Sequence, residues 1–171
     1  MHIIFFNTKG GVSKSTLCEF TARELKRIGY GVHVDNTDQQ EHVTLIDNED
    51  ADYFLYDTAG AFTADNVELL KAAAEAKSLI IIPMNTGVND LKELDFILSR
   101  LDEYGVREKA RVVFTKTRQN SKALQARRVT LKERGLDSIN WVMPMLEDFS
   151  EQRETARTRN EISAFLHEVI L

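Results

Sequence analysis

Six short apolar runs recur along the chain, HIIFF, GVHV, YFLY, SLIIIP, ARVVF and NWVMP, with polar-rich stretches between them. Each run has the length of a β-strand and is rich in β-branched or aromatic side chains. The runs are near-continuous rather than alternating, which fits strands covered on both faces of a parallel sheet. Between them the apolar positions take helical steps, as at Cys18, Ala22, Leu25 and Ile28, or Leu91, Leu94, Leu98 and Leu101. Strand and helix in alternation predict an α/β fold, a doubly wound, mostly parallel sheet with helices on both faces. Ligands of such sheets collect at the carboxyl ends of the strands, so the polar segments that follow the runs are where chemistry is expected.

Composition changes this picture little. A chain of 171 residues with 43% apolar side chains is long enough for a full core, and residues 1–171 are expected to form one domain. Two prolines, no repeat and no low-complexity run leave no sign of a linker. The start MHIIFF lacks the features of a signal peptide, and no segment is apolar enough to span a bilayer, so a cytoplasmic location is expected. The single cysteine, Cys18, offers neither a disulfide framework nor a thiolate cluster and reads as a small buried helix residue. The four histidines are too scattered to suggest a metal site.

Charge adds more. The net charge is −5, yet residues 107–134 carry 10 basic and 2 acidic side chains, while 1–106 and 135–171 are both acidic. Such a block suggests a localised anionic partner. A solvated surface explains it equally well, and the helix expected near 120–134 spreads its charges around a narrow Leu124/Leu131 stripe.

The first polar segment, residues 7–16, reads NTKGGVSKST. A phosphate loop works because consecutive backbone N–H groups converge at a helix N-terminus, with glycine allowing the backbone to come close. Gly10 and Gly11 supply that freedom and Lys14 a cation, but the usual glycine positions hold Thr8 and Ser13. The run K-G-G-x-x-K-S-T resembles the deviant phosphate loop of the ParA/MinD family of ATPases, usually KGGVGKST. Lys9, Gly10, Gly11, Val12, Lys14, Ser15 and Thr16 match, and only Ser13 departs. Further segments follow in order. NTDQQ resembles the family's DTDPQ segment, aligning Asp38 and Gln40, with Asn36 and Gln39 as departures. YFLYDTAG (53–60) resembles the second acidic motif, with Asp57 ending the strand. LIIIPMNTGVNDL (79–91) resembles the next strand and its loop. Pro144 and the segment after it are similar to the region that packs near the adenine base. Only twelve residues separate Gln40 from Tyr53, as in the smallest plasmid-partition members. Asp35 reads as a solvated neighbour of Asn36, and residues 47–52 as an exposed connection.

The resemblance implies a P-loop NTPase fold and a set of roles. ATP would lie between two facing subunits, with residues 9–16, including Val12 and Ser13, cradling it. Lys9 would act in trans on the partner's nucleotide and Lys14 in cis. Ser15 would coordinate Mg2+, with Asp57 holding its water shell, and Thr16 would bind the α-phosphate. Asp38 would position the attacking water. Slow hydrolysis to ADP and phosphate would dissolve the homodimer. The implied partners are non-specific DNA, through Lys122, Arg127, Arg128 and Lys132 of the basic block, and a centromere-binding, ParB-like adaptor. The ATP-bound protein would then be nucleoid-associated. Ser13 places a Cβ where the backbone nears phosphate, costing about 1–3 kcal/mol if its φ is positive, or it donates a hydrogen bond. Two other readings stand beside partitioning. One is a nucleotide-binding scaffold with lost or very weak hydrolysis, suggested by Ser13, Asn36 and Gln39. The other is a MinD-like membrane-positioning switch. Against the second, the tail EISAFLHEVIL has no Lys or Arg on its polar face, so docking on the protein's own core is expected and a membrane partner is not. A cluster-bearing relative such as nitrogenase iron protein needs paired cysteines and is excluded.

Overall fold

The structure, a computed structural model, describes residues 1–36 and 50–171. All six apolar runs form strands: β1 (His2–Phe5), β2 (Val32–Asn36), β3 (Tyr53–Asp57), β4 (Ser78–Met84), β5 (Ala110–Thr115) and β6 (Ser138–Met143). They make one sheet in the order β2-β3-β1-β4-β5-β6, and every pair is parallel. Helices α1 (Lys14–Arg27), α2 (Ala64–Glu75), α3 (Val88–Glu103) and α4 (Lys122–Glu133) lie between strands, and α5 (Glu147–Ser150) and α6 (Ala156–Val169) follow β6.

The continuous apolar runs are explained by two cores, one on each face. Ile3 and Phe5 of β1 pack under α1 and α6, with Leu17, Leu25, Ile162 and Phe165. Ile4 and Phe6 point the other way, to Leu69 and Leu70 of α2, Leu94 and Leu101 of α3, and Leu124 and Leu131 of α4. Each is fully or almost fully buried. The tail expected to dock on the core does so through Ile162, Phe165 and Leu166. Its polar face closes the exposed edge of β6, where the Glu168 carboxylate accepts the backbone N–H groups of Asn140 and Trp141. No helix among the described residues is long and apolar enough to cross a membrane.

This winding positions the site. From central β1 the chain runs through α1 on one face to β2 at the edge, whereas β3 and β4 are followed by α2 and α3 on the other. Adjacent strands whose connections leave on opposite faces open a crevice at their carboxyl ends, and the segment 7–16 lies there.

Candidate nucleotide site

Residues 7–13 leave β1 at the centre of the sheet and are held from three strands. From the entry, Asn7 Nδ2 donates to the Pro83 carbonyl of β4 at 2.7 Å, while Asn7 Oδ1 accepts the Lys9 N–H at 2.8 Å. Just after β3, the Thr58 hydroxyl donates at 2.8 Å to the carbonyl of Phe5, the last residue of β1 before the loop. From β5, the fully buried Thr115 hydroxyl lies 3.1 Å from the Val12 carbonyl and 3.0 Å from Asn85 Oδ1. Just beyond, Lys116 Nζ donates to the Gly11 carbonyl at 2.8 Å. Gly60 sits so near Gly10 that a Cβ there would lie 3.3 Å from the Gly10 Cα. That close approach is why glycine follows Asp57-Thr58-Ala59.

The loop turns through Gly11 at φ 74° and enters α1 through Ser13 at φ 67°, ψ 27°. Left-handed backbone is free for glycine but costs an L side chain about 1–2 kcal/mol. The conditional expectation for Ser13 therefore resolves toward strain. Its side chain makes no capping bond to α1, unlike Thr63, Ser121 and Thr155 at α2, α4 and α6. No acidic residue occupies the first turn of α1, so the positive end of the helix dipole is not offset there. Lys14 is 7% exposed, and its Nζ reaches back to the Lys9 carbonyl at 3.4 Å.

A cavity of about 340 Å3 opens in front of this turn. One end is polar, lined by Gly11, Ser13, Lys14, Ser15, Thr16 and Lys116. The other is apolar, lined by Met143, Pro144, Met145, Leu146 and Phe149 from the end of β6 and α5. A phosphate chain suits the first end and a base the second. Pro144 and the segment after it, similar in sequence to the region that packs near the base, line this apolar end, and Met143 of β6 adds to it. A neighbouring cavity of about 440 Å3 has Ser15 and Asp57 in its lining, with Cys18 and Asn36. Asp57 ends β3 beside Asn36 of β2 and is 8% exposed. A hydroxyl and a buried carboxylate facing one space are hard oxygen donors of the kind Mg2+ takes, with water completing its shell. Burial, then the carboxylates of Asp57 and Glu19, push the Cys18 thiol well above its ordinary range, so it is inert packing.

The remaining sequence candidates fall as follows. Lys9, half-buried, pairs its Nζ with the buried Asp90 carboxylate at 3.0 Å, and the neighbouring Thr8 hydroxyl bonds Glu93. Both partners lie in the first two turns of α3, and neither was singled out from sequence. Their signal is the spacing of Asp90 and Glu93 after the strand in LIIIPMNTGVNDLKE. Asp38 and Gln40 lie outside the described residues. Asp35, expected to be solvated, is 3% exposed with its Oδ1 unpartnered among the described residues; strand alternation turns it inward while Val34 and Asn36 face out. Burial raises its carboxyl above the ordinary range, offset in part by His33.

Much of the basic block is committed to the fold. Lys109 Nζ takes the Ala73, Ala74 and Ala76 carbonyls at the end of α2 at 2.6–2.9 Å. Arg107 and Arg134 pair with Asp102 and Asp95. Arg127 Nε donates to the Thr86 carbonyl and Arg128 Nη2 to the Asn140 carbonyl. Lys122 and Lys132 are exposed on α4, as is Arg118 in the loop before it.

Residues 3–158 match the CobQ/CobB/MinD/ParA nucleotide binding domain. No curated protein matches the chain. Among solved structures it is similar to the MinD cell division protein of Aquifex aeolicus, with 15% identity, 99% of this chain and 98% of that one covered, and a TM-score of 0.70. It is also similar to pNOB8 ParA bound to nonspecific DNA, with 16% identity, 99% and 97% coverage, and a TM-score of 0.69. A third is cobyrinic acid a,c-diamide synthase of Mycobacterium smegmatis with bound ADP and magnesium, with 11% identity, 97% and 94% coverage, and a TM-score of 0.69. At these identities the likeness is one of fold, and it extends over nearly the whole of each chain. With the match over 156 residues, the chain belongs to the CobQ/CobB/MinD/ParA nucleotide binding domain family.

Proposed function

We propose that this chain is a ParA-like ATPase in which bound ATP switches a monomer to a homodimer that carries DNA in partitioning. The observation that supports it most is Lys9. A phosphate loop that acts only in cis needs one lysine, and Lys14 already stands in the cavity wall. Lys9 is a second cation at the mouth of the loop, held on Asp90 and still 35% exposed, so it is able to leave for a facing subunit. Lys14, Ser13 and Thr16 bind the phosphates, helped by backbone N–H groups of the loop. Ser15 would coordinate Mg2+ and Asp57 would hold its water shell, and the ion would neutralise phosphate charge. Asp38 orients the attacking water. Met143, Pro144 and Leu146 enclose the base.

DNA binding rests on the exposed cations. The side chains of Arg118, Lys122 and Lys132 have no ion pair or hydrogen bond to another described residue, so they are free to meet phosphate. Arg127 and Arg128 contribute less, because each already holds a carbonyl. A ParB-like adaptor would stimulate hydrolysis and release the dimer.

The experiment is sedimentation with ATP, ADP and no nucleotide, with and without duplex DNA. A dimer only with ATP, and DNA bound only by that dimer, is the expected result. Lys14→Ala should abolish nucleotide binding, and retained binding at the wild-type level overturns the site. An ATP-bound dimer without turnover, even with DNA and a partner protein, selects the scaffold reading instead.

A further inference from the structure

We propose that Thr115 and Lys116 form a clamp that holds the phosphate loop in the conformation Ser13 opposes, making Lys116 a positioning residue for the nucleotide. The inference rests on the nucleotide reading of this cavity, but the clamp itself is a property of the free protein.

The geometry is specific to one turn of backbone. The Gly11 carbonyl accepts from Lys116 Nζ at 2.8 Å, and the Val12 carbonyl lies 3.1 Å from Thr115 Oγ1, whose single proton it shares with Asn85 Oδ1 at 3.0 Å. In a planar trans peptide the N–H points opposite to the C=O. Fixing those two carbonyls toward the end of β5 therefore fixes the Val12 and Ser13 N–H groups in the other direction. These are the donors a phosphate loop needs aligned before its anion arrives. Ser13 works against the arrangement, since its φ of 67° is left-handed. Relaxing that φ rotates the peptide between Val12 and Ser13, and its carbonyl is the one Thr115 holds. Lys116 guards the peptide before it.

Lys116 is itself strained, at φ 52°, directly after the buried end of β5. Its side chain is exposed, yet it crosses to the loop rather than extending into water. Its ammonium takes a backbone carbonyl and pairs with no carboxylate among the described residues. Such a bond is worth most where it prevents a local rearrangement, because removing it leaves the loop free to settle elsewhere. A glycine at position 13 would have no left-handed penalty to resist. The clamp and Ser13 are thus expected to be coupled.

The test is a double-mutant cycle of Lys116→Met and Ser13→Gly with two readouts. In the ligand-free protein, amide hydrogen exchange at Leu17, whose N–H donates to the Ser13 carbonyl at 2.9 Å, should speed up in Lys116→Met and return toward wild type in the double variant. With a fluorescent ATP analogue, Lys116→Met should weaken binding about tenfold with Ser13 present and about twofold or less in the Ser13→Gly background. Lys116→Arg should rescue both, and Lys77→Met, an exposed control at the far end of the sheet, should change neither. Equal losses of affinity in both backgrounds would show that Lys116 acts on the ligand and not through the loop, overturning the proposal. Unchanged exchange in Lys116→Met overturns it as well. If wild-type protein binds no nucleotide, the nucleotide reading fails, and the exchange measurements still decide whether the clamp exists.

Discussion

Lys9 and Asp90 form an ion pair, Nζ to Oδ2 at 3.0 Å, between the mouth of the phosphate loop and the first turn of α3. The lysine is 35% exposed and the aspartate 5%, so one partner can leave and the other cannot. Gly87 makes room for the carboxylate, since a Cβ there would lie 2.8 Å from Asp90 Oδ2. If Lys9 acts across a dimer, this pair must break first. Asp90→Asn removes the competitor and should lower the ATP concentration for half-dimerisation about fivefold, the scale of a partly exposed pair worth about 1 kcal/mol. Lys9→Ala should bind nucleotide yet stay monomeric. Because it also strands a buried carboxylate, Lys9→Ala/Asp90→Ala is the fairer comparison. Sedimentation across an ATP series decides. Loss of the dimer in Asp90→Asn would mean the pair belongs to the assembled state.

The left-handed Ser13 makes a prediction about stability that needs no ligand. Ser13→Gly relieves the Cβ clash and should stabilise the free protein by about 1 kcal/mol, part of the gain being offset by the flexibility of unfolded glycine. Chemical denaturation measures it. A destabilised Ser13→Gly protein would show that the serine side chain is favourably placed despite its φ.

Lys109 is the basic residue most clearly committed to structure. It caps three carbonyls at the end of α2, and Lys109→Met should cost about 1–3 kcal/mol through part-buried acceptors left without a partner. Its effect on DNA affinity of the folded protein should be small.

Lys122 and Lys132 should behave in the opposite way. Lys122→Ala and Lys132→Ala should leave melting temperature unchanged. Each should reduce the log-log salt slope of DNA binding by roughly 0.9 for every phosphate it no longer neutralises. Fluorescence anisotropy on two unrelated duplexes, over a salt series with ATP, reads this out. A slope equal to wild type in the double variant would place DNA elsewhere or nowhere.

Asp35 links stability to pH. Burial holds its carboxyl above the ordinary range, so the folded state binds that proton more tightly than the unfolded chain. Its contribution is fully present below the unfolded carboxylate range and is lost as pH rises through the raised folded value. Asp35→Asn should therefore melt higher than wild type at pH 7, with the advantage shrinking as pH falls toward 4. A difference that does not depend on pH would remove the ionisation from the explanation.

The strands and their parallel pairing were legible in the residues alone, because near-continuous apolar runs can only be covered on both faces. The phosphate-loop reading came from the resemblance of Lys9, Gly10, Gly11 and Lys14 to a family motif. The tail was legible too, because Ile162, Phe165 and Leu166 needed a core and the polar face lacked cations. Which groups meet across the sheet was not. Asp90 is 81 residues from Lys9 and Lys116 is 105 from Gly11. Only the winding of β4 and β5 beside β1 brings them together. The same holds for the basic block, where a charge count treats Lys109 and Lys122 alike. Tertiary packing ties the half-buried Lys109 to helix carbonyls and leaves Lys122 in water, and the sign of Ser13's φ was likewise set by the backbone path around it.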